Sequence, residues 1–348
     1  NREGERRPEA RRPLRSRHHG HPRGRVGGAL DGSSASLTPI SPAREMGGFI
    51  RVASRVEWNF SLLFPLVLAG TLSCSGAAGV AGNASIVDDA GDTVAVHAPA
   101  TRIASLIPAT TELLFAIGAG ASVVGRTTWC DYPAAALSVP SLGDGISPNL
   151  EAILASHPDL VVLYNSTRNA DAAARLRSAG IAAVRLNTDE LTDVGRIARL
   201  LGRVSGHPGA ADSLVAAFDT ALAAATVPPA GARPKVLLLV WEQPPMTIGH
   251  GSFLSELVER AGGRNLFDDV ARSAGTVSIE AVASRDPDLI LTAADGPASF
   301  ITRPEWQVVR AVRERRLIQV KGSEFNRPGP RSPAAIRELA GRIREALR

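Results

Sequence analysis

The aromatic side chains of one short segment are the first residues in this chain that could bind a ligand. Residues 126–133 read RTTWCDYP and include Trp129, Asp131 and Tyr132. The segment follows a predicted strand, so these side chains belong to a loop. Aromatic rings in a loop either pack over the edge of the core or stay exposed as flat contact surface for a ligand. Both interpretations remain open from the sequence alone.

The residue types that usually carry catalysis do not form a recognisable set. The sequence contains no phosphate-binding loop, nucleophile elbow or paired cysteine motif. Its two cysteines, Cys74 and Cys130, cannot supply a disulfide or zinc framework, and Cys130 is expected to be a free, buried thiol. The histidines after residue 46 are isolated and lack metal-ligand spacing: His97, His157, His207 and His250. We therefore expect a binding protein without a cofactor rather than an enzyme.

Residues 102–125, which read RIASLIPATTELLFAIGAGASVVG, predict the unit that positions the first loops. The short apolar run 103–106 is typical of a buried strand, and Pro108 ends it. A helix is expected to follow, with Thr110 capping its free N–H groups. Strand, loop, helix and strand open a parallel α/β domain, in which ligands bind at the loops after the carboxyl ends of strands. Loop 107–111 is therefore the first candidate site.

An internal repeat extends this unit to a second half of the chain. The segment SIEAVASRDPDLIL, which starts at Ser278, aligns without a gap on NLEAILASHPDLVV, which starts at Asn149. Glu280 then corresponds to Glu151, and both starting residues are predicted helix caps. Two similar halves are expected, each a parallel sheet covered by helices.

The segments around the repeat predict the remaining elements. Residues 86–96 suit a small hairpin, and 208–225 form a helix of about 27 Å that can cross between the halves. The second half should contain a strand, a Pro/Gly-rich loop and a helix within 235–260, then a helix over 303–314 and a closing helix over 333–347. The linker KGSEFNRPGPRS at 321–332 is expected to face the same cleft as the first loops.

The net charge of +5 lies entirely in the first 45 residues. They contain ten Arg and five acidic residues, whereas the rest of the chain is balanced. A balanced folded part gives no reason to expect nucleic-acid binding. The first 45 residues are also rich in Pro, Gly and Ser and lack an apolar period, so we expect disorder or a segment upstream of a true start at Met46.

Residues 46–84 resemble an export signal. Arg51 and Arg55 precede the apolar run 60–72, which is shorter than the roughly 20 residues that span a bilayer. Cys74 ends a TLSC sequence that resembles a lipoprotein box. We therefore expect either lipidation of Cys74 or ordinary signal cleavage in the residues leading up to Ala84. Both alternatives place the folded protein outside the cytoplasm, in the periplasm or tethered to the membrane. The expected organisation is an upstream segment (1–45), an export signal and linker (46–84), a first lobe (85–207), an inter-lobe helix (208–227) and a second lobe (228–348).

From about residue 102 onward the chain resembles the cobalamin-binding members of the periplasmic binding proteins that serve iron-siderophore, heme and cobalamin ABC importers. Six pieces in order carry the resemblance: RIASLIPATTELLFAIGAG, WCDYP, SLGDGISPNLEAILASHPDLVV, WEQPPMTIGHGSFLSELVERAGGRNLF, SIEAVASRDPDLIL and FNRPGPR. The resemblance implies an α/β fold of two Rossmann-like αβα lobes joined by a single long helix, the class III architecture. It also implies a monomer that works with an ABC transporter permease dimer and its cytoplasmic ATPase.

The resemblance implies a set of cleft residues and a pair of docking residues. The permease-docking pair is Glu151 and Glu280, one on each lobe. The turn 143–145 lacks the Trp that family members often place there. The implied ligand-binding residues are Pro108, Thr110, Trp129, Asp131, Tyr132, Gly143, Asp144, Gly145, Trp241, Pro245, Met246, Glu324, Phe325 and Arg327.

The ligand expected from the resemblance is cobalamin or another corrinoid. Heme or a ferric siderophore is the alternative on the same fold, with Tyr132 as the best iron ligand and Arg327 and Arg331 as partners for siderophore carboxylates. A chelatase-like extracytoplasmic enzyme is the third hypothesis, and it would require a charged or histidine cluster in the cleft.

Overall fold

The folded part of the chain opens with an antiparallel hairpin. The computed structural model describes residues 82–270, 274–293 and 298–348. Strand β1 (Gly82–Val87) pairs with β2 (Thr93–Ala98), with Ile86 opposite Val94. The predicted hairpin is confirmed, although β1 begins inside the stretch that was expected to be linker. The predictions for residues 1–81, including the export signal and Cys74, lie outside the described residues.

The first lobe is built on a parallel sheet in the order β4-β3-β5-β6. These strands are mostly apolar, with Arg126 and Arg185 as exceptions, because helices cover both faces of a parallel sheet. Its strands are β3 (Ile103–Ser105), β4 (Val123–Arg126), β5 (Leu160–Tyr164) and β6 (Ala182–Leu186). Its helices are α1 (Pro108–Ala116), α2 (Leu150–Ala155), α3 (Thr167–Ser178) and α4 (Leu191–Ser205), with 3₁₀ turns at Gly120–Ser122 and Ala134–Ser138.

Helix α1 begins two residues earlier than predicted, and Thr110 does not cap it. Pro108 occupies the first helical turn, where the missing N–H of proline costs nothing because that group has no partner within the helix. Ile107 is the N-cap residue and gives no side-chain hydrogen bond. The Thr110 hydroxyl instead donates to the Ile107 carbonyl at 2.9 Å. The prediction of a threonine cap was therefore wrong.

The second lobe repeats the parallel arrangement and adds antiparallel strands at one side. It follows α5 (Pro208–Ala225). Its strands are β7 (Lys235–Glu242), β8 (Pro245–Thr247), β9 (Arg264–Asn265), β10 (Gly275–Thr276), β11 (Leu289–Thr292) and β12 (Leu317–Gln319). Strands β7 and β12 flank β11 and run parallel to it, β8 runs antiparallel to β7, and β10 runs antiparallel to β8. The helices are α6 (Phe253–Arg260), α7 (Ile279–Arg285), α8 (Arg310–Arg313) and α9 (Ser332–Ala346), with 3₁₀ turns at Ser299–Thr302, Pro304–Val308 and Ser323–Phe325.

Two predictions for this lobe need correction. The expected loop after β7 contains strand β8, because the chain turns at residues 243–244 and pairs back on β7. The single helix expected over 303–314 is a 3₁₀ turn followed by the short helix α8. Val309 separates them in an extended conformation (φ −84°, ψ 120°), which suits a β-branched residue.

Helix α5 joins the two lobes as the sequence predicted. It packs against α4 of the first lobe and α9 of the second, and it buries Ala211, Val215, Phe218 and Ala225. The two Rossmann-like αβα lobes joined by one long helix are thereby confirmed. Among the helices of the described residues, none has both the length and the apolar character needed to cross a bilayer.

The internal repeat appears in the backbone as well as in the sequence. Asn149 and Ser278 both cap their helices by accepting the N–H three residues later, each at 3.1 Å. After these helices, His157 and Asp286 both adopt positive φ angles, 46° and 50°. The repeat thus reproduces the turn from helix to strand in each lobe, with the left-handed residue in the same place.

Candidate functional site

A cavity of about 910 Å³ lies where the carboxyl ends of the first lobe's strands meet the loop after β12. Its first-lobe wall comes from residues that follow β3, β4, β5 and β6. Residues 322, 323, 326 and 327 of the second lobe complete the wall. This is the edge of a parallel sheet at which α/β proteins bind ligands. The expectation that the linker 321–332 faces the same cleft as the first loops is confirmed.

Apolar and aromatic surface makes up a large part of this wall. Trp129 is 63% exposed and Ile146 is 64% exposed, so both present flat or apolar area without being packed in the core. Residues 106–109 contribute the connection after β3 and the first two residues of α1. Large apolar side chains that border a concave cavity are typical of small-molecule sites.

The turn that ends at Gly145 requires glycine. Gly145 has φ +78°, and a Cβ there would lie 2.7 Å from the Leu106 carbonyl oxygen and 2.8 Å from the Thr127 methyl. Asp144 accepts the N–H groups of Ile146 and Ser147 at 2.8 and 2.9 Å, and these bonds hold the pKa of its carboxyl below the ordinary value. The turn is therefore rigid and brings an ionised carboxylate to the cavity.

Tyr164 stands at the carboxyl end of β5 and donates its hydroxyl to Asp189 Oδ1 at 2.8 Å. Both residues border the cavity. Burial, together with this hydrogen bond to an ionised partner, raises the pKa of Tyr164 to about 12. The phenol is therefore held neutral, and its ring joins Trp129 on the aromatic wall.

Arg327 of the second lobe reaches across the cleft to the WCDYP loop. Its Nη2 donates to Asp131, and its Nη1 donates to the Trp129 carbonyl at 3.1 Å. Burial opposes ionisation of Asp131, but the hydrogen bond and the charge of Arg327, together with hydrogen bonds from Ser323 and the backbone, outweigh it, so the pKa of Asp131 is lowered. The two cavity charges thus neutralise each other, and the pair fixes the loop that carries Trp129.

A second arginine from the same linker penetrates deeper into the first lobe. Arg331 donates through Nε and Nη2 to the two carboxylate oxygens of Glu112, both at 3.0 Å, and through Nη1 to Glu324. Its guanidinium also lies 4.0 Å from the centre of the Tyr132 ring. Planar bidentate pairing and stacking on an aromatic face are the geometries that favour arginine.

The structure brings six of the expected ligand-binding residues to the cavity: Pro108, Trp129, Asp131, Asp144, Gly145 and Arg327. Two others are buried away from it. Thr110 is inaccessible and bonds to Ser105 and Ile107, whereas Phe325 is 1% exposed and packs in the core.

The other expected residues do not line the cavity. Tyr132 is stacked under Arg331, and Glu324 is paired with the same guanidinium. Trp241 is 61% exposed at the end of β7, where its ring N–H donates to the Gln243 carbonyl at 2.8 Å. Gly143, Pro245 and Met246 do not border the cavity either.

Sequence reasoning missed the polar part of the wall. This part comes from the ends of β5 and β6 and the start of α3: Tyr164, Ser166, Thr167, Arg168, Asn169, Thr188 and Asp189. The signal was present, because the apolar run LVVLY ends in a tyrosine at a strand's carboxyl end, where ligand contacts are expected.

The docking candidates and the free cysteine can also be placed. Glu151 and Glu280 are exposed in the first turns of α2 and α7, at matching positions of the repeat. Cys130 is a free, buried thiol as predicted, within 3.1 Å of the Thr111 and Thr127 hydroxyls. Within residues 82–270, 274–293 and 298–348, no three His, Cys, Asp or Glu side chains cluster closely enough to hold a metal.

Comparison with known proteins gives the same architecture. The ABC transporter substrate-binding lipoprotein YvrC of Bacillus subtilis is 29% identical over 270 residues, covering 74% of this chain and 84% of that protein. A vitamin B12-binding protein of Vibrio cholerae is 28% identical over 243 residues, covering 69% and 88%. The solved periplasmic heme-binding protein from Roseiflexus sp. RS-1 superposes with a TM-score of 0.63 at 25% identity, covering 71% and 99%.

A family model supports the same grouping. The model described as periplasmic binding protein matches residues 103–323, which is more than half of the chain and includes both lobes. The match includes all the first-lobe residues of the cavity wall and, from the linker, residues 322–323. This chain belongs to the periplasmic binding protein family, among whose members are binding proteins for vitamin B12 and heme.

Proposed function

We propose that this protein captures a corrinoid, such as cobalamin, outside the cytoplasm and delivers it to an ABC transporter permease. The observation that carries the proposal is the cavity wall, in which exposed aromatic and apolar surface lies beside charged groups that are hydrogen-bonded within the protein: Arg327 to Asp131, Asp144 to backbone N–H groups and Arg168 to Ser147. A corrin is a broad disc with amide side chains around its rim. It suits a wall of this kind, because its faces need flat apolar cover and its rim needs neutral polar partners.

The charges of the cavity support this choice. Asp131 is paired with Arg327, and Asp189 accepts the Tyr164 hydroxyl. A ligand with several free carboxylates needs several unpaired cations, but of the two arginines on the wall Arg327 is paired with Asp131, and Arg168, which donates to the Ser147 hydroxyl, is the other. Breaking such a pair to bind an anion costs part of the interaction gained. A ligand that is neutral at its edges avoids that cost.

Heme or a ferric siderophore is the second candidate, since a relative of 25% identity is named as heme-binding. A tyrosine that coordinates Fe(III) does so in its deprotonated form, as a phenolate. The raised pKa of Tyr164 opposes that form, and Tyr132, the iron ligand expected from the sequence, does not border the cavity. These two observations favour the corrinoid.

Delivery to a permease and its cytoplasmic ATPase follows from the family, whose members include ABC transporter substrate-binding proteins. Under this proposal Glu151 and Glu280 dock the two lobes, and Cys74 tethers the protein to the membrane if it is lipidated. The ligand is transported cargo and not a cofactor.

A direct binding comparison tests the proposal. Purified protein, freed of bound ligand by unfolding and refolding, is titrated separately with cyanocobalamin, heme and a ferric hydroxamate, with visible absorbance and calorimetry as readouts. We expect saturable one-to-one binding of cyanocobalamin with a Kd of about 1 μM or lower. No measurable binding of cyanocobalamin, together with tight binding of heme or the siderophore, would move the protein to the second candidate.

A further inference from the structure

The backbone that carries the Trp129 ring is held by a residue of the opposite lobe. The Trp129 carbonyl accepts a hydrogen bond from Nη1 of Arg327 at 3.1 Å, and the Asp131 carboxylate accepts one from Nη2. Ser323, from the same second-lobe linker as Arg327, adds a further hydrogen bond to Asp131. The Trp129 ring therefore belongs to the first-lobe wall, but its loop is fixed from the second lobe.

The first lobe holds this loop from its inner side. The Trp129 N–H donates to the Thr127 hydroxyl and the Cys130 N–H to the Thr127 carbonyl, both at 3.2 Å. Thr127 and Cys130 are buried, whereas the Asp131 side chain is 54% exposed. The Arg327 side chain that reaches it is only 15% exposed, so its charge-assisted hydrogen bonds are partly shielded from water. Arg327 thus restrains the loop on the side that the first lobe leaves exposed.

Packing alone does little to restrain Trp129, because the residue is 63% exposed. A loop that must become ordered when a ligand binds costs part of the binding free energy, and a loop that is ordered beforehand avoids that cost. Arg327 can supply this order through the Trp129 carbonyl and Asp131, without contacting the ligand itself.

We propose that Arg327 is a positioning residue, which orders the Trp129 loop for the ligand and makes the affinity of the first-lobe wall depend on contact with the second lobe. The inference rests on the proposed function, in which Trp129 covers part of a corrinoid. The dependence is reciprocal, because the ligand must strengthen the contact between the lobes by the same factor by which that contact strengthens binding. A permease that separated the lobes would therefore weaken the site and favour release of the cargo.

A double-mutant cycle with cyanocobalamin tests this role. Arg327→Ala should raise the Kd by about threefold to tenfold, the usual cost of ordering a side chain and its loop on binding. In the Trp129→Ala background the same substitution should change the Kd by less than about twofold, because the residue through which Arg327 acts is absent. Equal weakening in both backgrounds would overturn the inference and show that Arg327 contacts the ligand directly.

Two further variants separate positioning from a general effect of charge. Arg327→Lys keeps a cation beside Asp131, but an ammonium lacks the planar fork that reaches a carboxylate and a carbonyl together, so wild-type affinity should not return. Arg264→Gln removes another second-lobe arginine, paired with Asp268 at 3.0 Å and outside the cavity wall, and should leave the Kd unchanged. Full affinity in Arg327→Lys would show that charge alone matters and would overturn the inference.

Hydrogen exchange gives a readout that needs no ligand. In Arg327→Ala the amides of residues 129–132 should exchange about threefold or more faster than in wild type, whereas those of β5 should be unchanged. Unchanged exchange in the loop would overturn the inference whether or not cyanocobalamin binds. Faster exchange without any cyanocobalamin binding by the wild type would instead overturn the proposed function and support Arg327 as the residue that orders the loop.

Discussion

Arg331 and Glu112 join the two lobes through a pair of parallel hydrogen bonds of 3.0 Å each. Glu112 is 2% exposed inside the first lobe, whereas Arg331 lies just before α9 in the second. The same guanidinium also pairs with Glu324 and stacks on Tyr132. One arginine therefore connects α1, the WCDYP loop and the linker that completes the cavity wall. The lobes are held together by this contact as well as by α5.

Removing the charge of Glu112 should destabilise the folded protein. In Glu112→Gln the partly buried guanidinium of Arg331 loses its buried counter-charge, and breaking a buried pair on one side costs about 3 kcal/mol at the low end of the usual range. Since Arg331 keeps Glu324 as a second partner, we expect this lower value. Chemical denaturation monitored by circular dichroism measures the free energy of unfolding.

Asp212→Asn is the control for the loss of unfolding free energy expected in Glu112→Gln. Asp212 pairs with Arg199 at 3.1 Å, but both side chains are at least half exposed. Exposed pairs contribute about 0–1 kcal/mol, so the control should lie close to wild type. Equal unfolding free energies for the two variants would contradict the role given to the Glu112 pair.

Tyr164 should ionise only at high pH. Its folded pKa of about 12 lies above the ordinary value of about 10, so the neutral phenol contributes stability fully below pH 10. That contribution is lost as the pH rises from 10 through 12. The difference in phenolate absorbance between wild type and Tyr164→Phe isolates this group, since Tyr132 is the only other tyrosine. In Asp189→Asn the transition should move down, although not fully to 10 because burial remains. A midpoint near 10 in wild type would show that neither burial nor the hydrogen bond to Asp189 raises the pKa of this phenol.

The first-lobe elements could be read from sequence because each has a strong local cause. The runs 103–106 and 160–163 are apolar and bounded, and Asn149 caps α2 through its own side chain. The repeat then predicted the same capped helix at Ser278 and α7. These signals are local in sequence, so no knowledge of tertiary contacts was needed.

The rest of the site depends on contacts between distant residues. Glu324 and Phe325 stand in a linker with turn-forming residues, and nothing local says that one pairs with Arg331 and the other enters the core. Arg327 and Asp131 are 196 positions apart, so their pairing appears only once the lobes are assembled. Thr110 failed as a cap because Pro108 can begin a helix without any capping side chain.

Trp129 should contribute a large part of the binding free energy for a corrinoid. Its ring is 63% exposed and borders the cavity, and covering roughly 100 Å² of ligand is worth about 2.5 kcal/mol. Trp129→Ala should therefore weaken cyanocobalamin binding by about tenfold to a hundredfold in titration calorimetry. Ionic strength should change the affinity little, because the nearby charges are already paired.

Trp241→Ala is the matched comparison for Trp129. The two rings have similar exposure, but Trp241 does not border the cavity, so its loss should weaken binding less. A larger effect at Trp241 than at Trp129 would place the ligand on the second lobe instead.

Cys74 lies outside the described residues, and its lipidation is a prediction from the TLSC sequence. If acyl chains are added to its sulfur, Cys74→Ala should move the protein from the membrane to the soluble fraction. Mass spectrometry of the mature wild-type protein identifies the amino terminus directly. An unmodified terminus near Ala84 would exclude the tether.

Glu151 and Glu280 should act together in docking to the permease. They occupy matching positions in α2 and α7, both exposed, so the repeat presents one carboxylate on each lobe. The hydrogen bonds from its own N–H and from Ser278 lower the pKa of Glu280, which keeps it ionised at neutral pH. Reversing both to Arg should abolish uptake by cells that depend on this transporter, because the two carboxylates proposed to dock the lobes would be replaced by groups of opposite charge. Cyanocobalamin affinity of the purified double variant should be unchanged, since neither residue borders the cavity. Asp171→Arg, a single reversal on the exposed surface of α3, controls for charge reversal away from the docking positions and should leave uptake intact. Survival of transport in the double reversal would remove the docking role and leave both glutamates as residues that complement their own helix dipoles.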